Sequence, residues 1–180
     1  MPTLVFLLAL LTPAQFVEEY YPYAKAVEAQ TGICSEVILT VAAVETKWGE
    51  RVPYNNFFGI KGTEENGSLA RTIEYHSNTC WNYPVVYKIE KRGNLYRYVV
   101  LDYFRCYPTP LEGFLGYASI VEKYFPEAWP YRTNPKKFFK IICPRYATSP
   151  AAYTLTTKVL KIINREINEY ELRKGEEICN

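Results

Sequence analysis

The chain has 180 residues, with 21 lysines and arginines against 19 aspartates and glutamates, and one histidine. That length fits a single domain with its own core, and 48% hydrophobic with 22% charged residues excludes a disordered, collagenous or low-complexity chain. A net charge of +2 is too small to point to nucleic acid as a partner.

The chain opens on an apolar run, Leu4–Leu11, too short to span a bilayer. No lysine or arginine precedes it, so it makes no clear signal peptide, and an N-terminal helix or strand packed on the core is expected instead. No later segment reads as a membrane span. Thr12-Pro13-Ala14-Gln15 is a capping box with proline in the first turn. It predicts a helix to about Gln30, interrupted near Pro22 and ended by Gly32. Ser35–Lys47 is apolar on nearly every face, which predicts a central, buried helix.

From Leu69 to Tyr107 the pattern changes. Arg71–Tyr75 reads as a strand. Val85–Ile89 and Leu95–Leu101 flank Lys91-Arg92-Gly93-Asn94, a hairpin with a Gly-Asn turn. Thr109-Pro110-Leu111-Glu112 opens a helix to about Tyr124, and a shorter helix comes after Asn134-Pro135. Ser149-Pro150 opens a long one, with Leu155, Val159, Ile162, Ile163 and Ile167 at helical spacing. The expectation is an α+β fold: one domain, 1–180, with a small antiparallel β-lobe at about 68–107 inserted in a helical body.

Glu45 lies near the end of the most apolar helix, after Val41-Ala42-Ala43-Val44. Desolvation there raises a carboxyl pKa, and an acid that stays protonated near neutral pH can protonate a glycosidic oxygen. The plain alternative is a helix-end carboxylate paired with Lys47 or Arg51. Trp48 offers a flat face to a sugar ring or to the core. Asn55 and Asn56, between aromatics and glycines, suit a tight ordered loop beside a cleft. Five cysteines (Cys34, Cys80, Cys106, Cys143 and Cys179) form no CxxC pair, so no metal site or cofactor is expected. Two disulfides with one free thiol and five reduced thiols both fit that number.

Glu45-Thr46-Lys47-Trp48-Gly49, then Asn55-Asn56-Phe57-Phe58-Gly59-Ile60-Lys61-Gly62, resembles the peptidoglycan-hydrolysing N-acetylglucosaminidases of glycoside hydrolase family 73. These include the flagellar-rod muramidase-like domain and many autolysins. Thr72-Ile73-Glu74-Tyr75, Phe104-Arg105-Cys106-Tyr107 with Leu111-Glu112-Gly113-Phe114, and Tyr146-Ala147-Thr148-Ser149-Pro150 continue the resemblance in order. It implies a lysozyme-like body with a mobile β-lobe, and cleavage of the β-1,4 bond from N-acetylglucosamine to N-acetylmuramic acid. By the same resemblance Glu45 is the general acid, Glu74 the second carboxylate, and Tyr146 a group that orients the N-acetyl of the substrate. The same resemblance puts Trp48, Asn55, Asn56, Phe58 and Tyr75 along the substrate cleft.

The chain departs from the family in two places. Thr46 stands where serine is common. About thirty residues separate Glu74 from Phe104, an extension that holds Cys80, Trp81 and the hairpin and makes Glu90 and Asp102 rivals of Glu74. His76 is given no role. A Cys80–Cys106 disulfide would tie this extension down.

Inversion, with carboxyls about 6.5–9.5 Å apart, or attack by the substrate's own N-acetyl group is expected, rather than retention through a covalent ester at about 5 Å. A lytic transglycosylase and a non-catalytic glycan-binding module of a phage or secretion apparatus are the rival functions. The expected partner is the glycan strand of peptidoglycan, met outside the cytoplasm. An immunity protein joins it if the chain is an interbacterial toxin.

Overall fold

The computed structural model describes residues 11–146 and 151–179, without the side chains of Tyr146, Ile178 and Cys179. The apolar run up to Leu10 and the helix start expected at Ser149-Pro150 lie outside the described residues. The chain divides into two compact units. One comprises residues 1–58 and 108–180, the other Gly59–Tyr107.

The first unit is helical. Helix α1 spans Pro13–Thr31, α2 Ser35–Thr46, α3 Pro110–Tyr124, α4 Pro135–Tyr146 and α5 Ala152–Cys179. The expected caps form. The Thr12 hydroxyl accepts the Gln15 backbone N–H while the Gln15 side chain accepts the Thr12 N–H, and Gly32 ends α1 in the left-handed conformation. The Thr109 hydroxyl accepts the Glu112 N–H, and Asn134 Oδ1 accepts the Lys137 N–H. The interruption expected near Pro22 does not occur, and α1 runs straight through it. Pro22 lies on the exposed side, so the hydrogen bond it forgoes faces water. Phe16, Val17, Tyr20, Tyr21, Ala24 and Val27 bury the rest of the helix.

Helix α2 is the axis of the core. Ser35, every residue from Val37 to Ala43, and Thr46 are buried. Such a helix is stable only when surrounded. Phe114, Tyr117 and Val121 of α3, Phe138, Phe139 and Ile142 of α4, and Leu160 and Ile163 of α5 complete the same interior. Phe57 and Phe58, just beyond a 3-10 turn at Pro53–Asn55, are driven into it. Phe57 meets Tyr20 and Phe114 edge-on at 4.9 and 4.8 Å, while Phe58 stacks on Tyr117 at 4.3 Å.

The second unit is a three-stranded antiparallel sheet in the order β1-β3-β2, with β1 at Gly67–His76, β2 at Val85–Arg92 and β3 at Leu95–Arg105. The Gly93-Asn94 turn joins β2 to β3, with Gly93 at φ 62°. Among the described residues the fold is thus α+β, five α-helices with one small sheet. Glu74 pairs with Tyr98, Thr72 with Val100 and Ala70 with Asp102. One sheet face therefore carries Thr72, Glu74, His76, Tyr98 and Asp102, and the opposite face carries Ile73, Tyr75 and Arg97. Because β3 lies between β1 and β2, the connection 77–84 returns from the level of Tyr96 to that of Leu101. It does so over the first face, where Trp81 and Tyr83 lie against His76 and Tyr98.

Cys34, Cys80, Cys106 and Cys143 are all free thiols. The expected Cys80–Cys106 bridge is not formed, and Cys34, capping α2 in the interior, has its thiol pushed up to about 12 by burial.

Candidate active site

Glu45 is the penultimate residue of α2. It lies on a cavity of about 260 Å³ whose walls include Val41, Val44, Phe139, Ile142 and Leu155, and among the described lining residues it alone carries a charge. The residue as a whole is exposed, yet its carboxyl is closely surrounded by protein, and that burial raises its pKa. The two observations describe a carboxyl in a concave apolar wall with one side open, so its desolvation is partial. The negative end of the α2 dipole acts in the same direction. Neither Lys47 nor Arg51 pairs with it, and among the described residues no ion pair or hydrogen bond stabilises its charged form.

The turn after Glu45 is strained. Lys47, Trp48 and Gly49 take φ values of 50°, 63° and 81°, and Tyr54 and Asn55 both take 55°. Left-handed backbone costs a residue other than glycine about 1–2 kcal/mol, so the surroundings must impose it. Thr46 supplies part of the restraint. Its buried hydroxyl donates to the Ala42 carbonyl at 2.6 Å and accepts the Gly49 N–H at 2.8 Å. The Lys47 and Trp48 N–H groups both return to the Ala43 carbonyl. Asn55 Nδ2 donates to the Pro108 carbonyl at 3.1 Å, and Phe57 and Phe58 anchor the far end. Trp48 is half-buried with its ring edge-on to Phe16 at 5.7 Å. Asn56 is buried within the loop. Phe58, expected to touch substrate, is 3% exposed and belongs to the core.

In the sheet unit, Glu74 is gripped through one oxygen. Lys61 Nζ donates to its Oε1 at 2.7 Å and the Thr72 hydroxyl to the same atom at 3.2 Å. Lys61 Nζ also meets Asp102 Oδ2 at 2.8 Å and sits 4.1 Å above the Phe104 ring. Among the described residues Glu74 Oε2 has no hydrogen-bond partner. Lys61 arrives here because Ile60–Gly62 runs along β3, with Arg105 N–H bonded to the Ile60 carbonyl and Gly62 N–H to the Tyr103 carbonyl. That approach needs glycine, since a Cβ on Gly62 would lie 2.9 Å from the Arg105 nitrogen.

Strand alternation sorts the remaining candidates. Tyr75, expected beside Glu74 in the cleft, projects from the opposite face, because successive strand residues point apart. Glu90 shares that opposite face with Arg97. The Lys88 ammonium bonded to it, helped by Arg92 and Arg97, holds its carboxyl down at about 2. Tyr146 ends α4. Its side chain and the Ala147–Pro150 segment lie outside the described residues. Lys61 and the Thr46 hydroxyl, which hold the candidate carboxylates and the turn, are weakly marked in the sequence. The only signal was a lysine in a Gly-Ile-Lys-Gly run and a hydroxyl directly after the candidate acid.

Helices with one small antiparallel sheet make a lysozyme-like α+β arrangement, and its most apolar helix carries a partly desolvated carboxylic acid next to its last residue. The family model described as mannosyl-glycoprotein endo-beta-N-acetylglucosaminidase matches residues 21–168, and the chain belongs to this glucosaminidase family of glycoside hydrolases. It is 27% identical over 174 residues to a probable N-acetylmuramidase of Lactococcus lactis subsp. cremoris, covering 88% of this chain and 34% of that protein. It is 28% identical over 172 residues to the peptidoglycan hydrolase FlgJ of Vibrio cholerae, covering 89% and 45%. The chain therefore spans less than half the length of these relatives. The glycoside hydrolase domain of Salmonella typhimurium FlgJ has the same fold, with a TM-score of 0.67 at 20% identity over 94% of this chain and 99% of that one.

The turn geometry yields a test. Thr46→Val keeps the shape and deletes both hydroxyl bonds. It should lower unfolding free energy by roughly 1–3 kcal/mol and cut turnover more than substrate affinity. Urea unfolding beside steady-state kinetics checks both, and unchanged turnover in a folded variant contradicts the restraint.

Proposed function

We propose that this domain hydrolyses the β-1,4 bond between N-acetylglucosamine and N-acetylmuramic acid in peptidoglycan, with Glu45 as general acid. The observation that carries the reading is the apolar wall around Glu45, which raises its pKa with no counter-charge nearby. An acid of this kind keeps its proton at a pH where a free glutamate has lost it. The rate falls as pH rises through this raised value, because the proton to be donated is then gone.

Glu74 fits the second carboxylate. Lys61 and Thr72 fix one oxygen, which leaves Oε2 for a water or for the positive charge that develops on the sugar ring. Asp102 shares the same ammonium and the same sheet face, so it adds to the negative field there. Tyr146 completes the proposed set as the group that orients the substrate's N-acetyl, with Trp48, Asn55 and Asn56 along the cleft wall. Inversion or substrate assistance is the expected course. Relatives named for peptidoglycan hydrolysis and for muramidase action support the polymer as substrate. That polymer lies outside the cytoplasm, so the site of action does too. Among the described residues no helix is long and apolar enough to cross a membrane. If the domain acts as an interbacterial toxin, an immunity protein that plugs the site is its expected partner.

Purified cell wall digested with the wild-type chain should release fragments with N-acetylglucosamine at the reducing end, and Glu45→Gln should be slower by about 10²–10⁴-fold. Reducing N-acetylmuramic acid would move the cleaved bond, anhydro-sugar ends would mean transglycosylation, and a fully active Glu45→Gln would remove the proposed acid. Separately, Lys61→Met should depress kcat more than it raises KM, with Lys61→Arg restoring much of the loss, as expected of a residue that positions a carboxylate. Equal effects of Met and Arg on folding and rate would reduce Lys61 to a scaffold role.

A further inference from the structure

We propose that the β1–β2 connection builds a carbohydrate subsite on the sheet, with Trp81 as its stacking platform. The proposal rests on the reading of the domain as a glycan hydrolase. Trp81 is 51% exposed, and one of its faces is covered by His76, stacked at 4.1 Å with the planes 14° apart. The ring is therefore held flat with its other face outward. His76 is itself fixed twice: a ring nitrogen is bonded to the Tyr83 hydroxyl at 2.5 Å, and its ring lies edge-on to Tyr98 at 5.3 Å. Such backing is costly to build for an indole that merely covers the surface.

Two further observations favour a polar ligand with an apolar face, such as a pyranose. The Tyr98 hydroxyl beneath His76 and Tyr83 is fully buried and has no hydrogen-bond partner among the described residues. A buried hydroxyl is normally satisfied, so this one can hold a bound water beneath the platform. The platform also continues the Glu74 strip. His76 lies one strand repeat beyond Glu74, roughly 7 Å, on the same sheet face. The Tyr83 hydroxyl lies within the field of both Glu74 and Asp102, which adds to the effect of burial in raising its pKa. A glycan strand that brings one sugar to Glu74 therefore extends its next units over Trp81. Peptidoglycan is uncharged along its sugar backbone and presents alternate apolar ring faces, which suits an aromatic platform bordered by hydroxyl groups.

The test uses the full chain with Glu45→Gln to prevent turnover. Titration calorimetry compares a long β-1,4-linked N-acetylglucosamine oligomer with the disaccharide. Trp81→Ala should weaken the long oligomer roughly three- to tenfold, the loss expected for one aromatic stack, and leave the disaccharide unchanged. Trp81→Phe, which keeps a flat ring, should recover most of the affinity, and a thermal melt confirms that each variant is folded. Equal binding of the long oligomer by Trp81→Ala and its parent overturns the subsite. So does a parent that binds neither oligomer while the wild type digests cell wall. A wild type that digests no cell wall, with the Trp81 effect intact, would refute the hydrolase reading and leave the subsite standing.

Discussion

The constraint on which the rest of this structure depends is the burial of α2 on every side. A helix whose residues from Val37 to Ala43 are all inaccessible must be enclosed by its neighbours, and α1, α3, α4 and α5 are placed to do so. The last turn of that helix emerges among apolar side chains. Any carboxylate there loses solvation before it gains a function. Glu45 stands at that point with no cation among the described residues to compensate, which costs folding stability and raises its pKa, the property on which the proposed acid role rests.

The segment between α2 and the aromatic cluster holds that point still. The chain leaves the helix through left-handed residues, three of them in succession, and could not do so cheaply unless both ends were anchored. Thr46 ties the start of the turn to the helix it leaves. Phe57 and Phe58 bury the end in the cluster around Tyr20, Phe114 and Tyr117. In the sheet unit the equivalent device is electrostatic. One lysine, carried along β3 by a glycine-permitted close approach, holds two carboxylates of the same face. The two devices differ because one carboxyl lies against an apolar wall and the other on a half-wet sheet, where exposed ion pairs add position more than stability.

Much of this was legible in the sequence wherever a local rule decides the outcome. The Thr12 and Thr109 caps, the Gly32 stop, the all-apolar α2 and the Gly93-Asn94 turn each depend on a few residues, and they form as expected. The resemblance carried by Glu45-Thr46-Lys47-Trp48-Gly49 and the Asn-Asn-Phe-Phe-Gly-Ile-Lys-Gly run led to the family that the chain belongs to. Tertiary context decided the rest. Pro22 did not break α1, because its exposed position left the buried stripe intact. Phe58 and Tyr75 were both aromatic and close to motif residues, but the first is claimed by the core and the second by strand alternation. The grip of Lys61 on Glu74 and Asp102 joins residues from 13 to 41 positions apart, a closeness that only the sheet register creates. The stacked Trp81 and His76 likewise depend on a connection that crosses back over the sheet.

The fold raises the pKa of Glu45 above that of an ordinary glutamate by burying its carboxyl. A carbon-13 NMR titration that tracks the Glu45 side-chain carboxyl in the full chain measures this directly, with Glu45→Gln identifying the resonance. The expected midpoint lies clearly above the ordinary glutamate value of about 4.3. A midpoint at or below that value would contradict it, since the apolar wall would then leave the acid with no more hold on its proton than open water does.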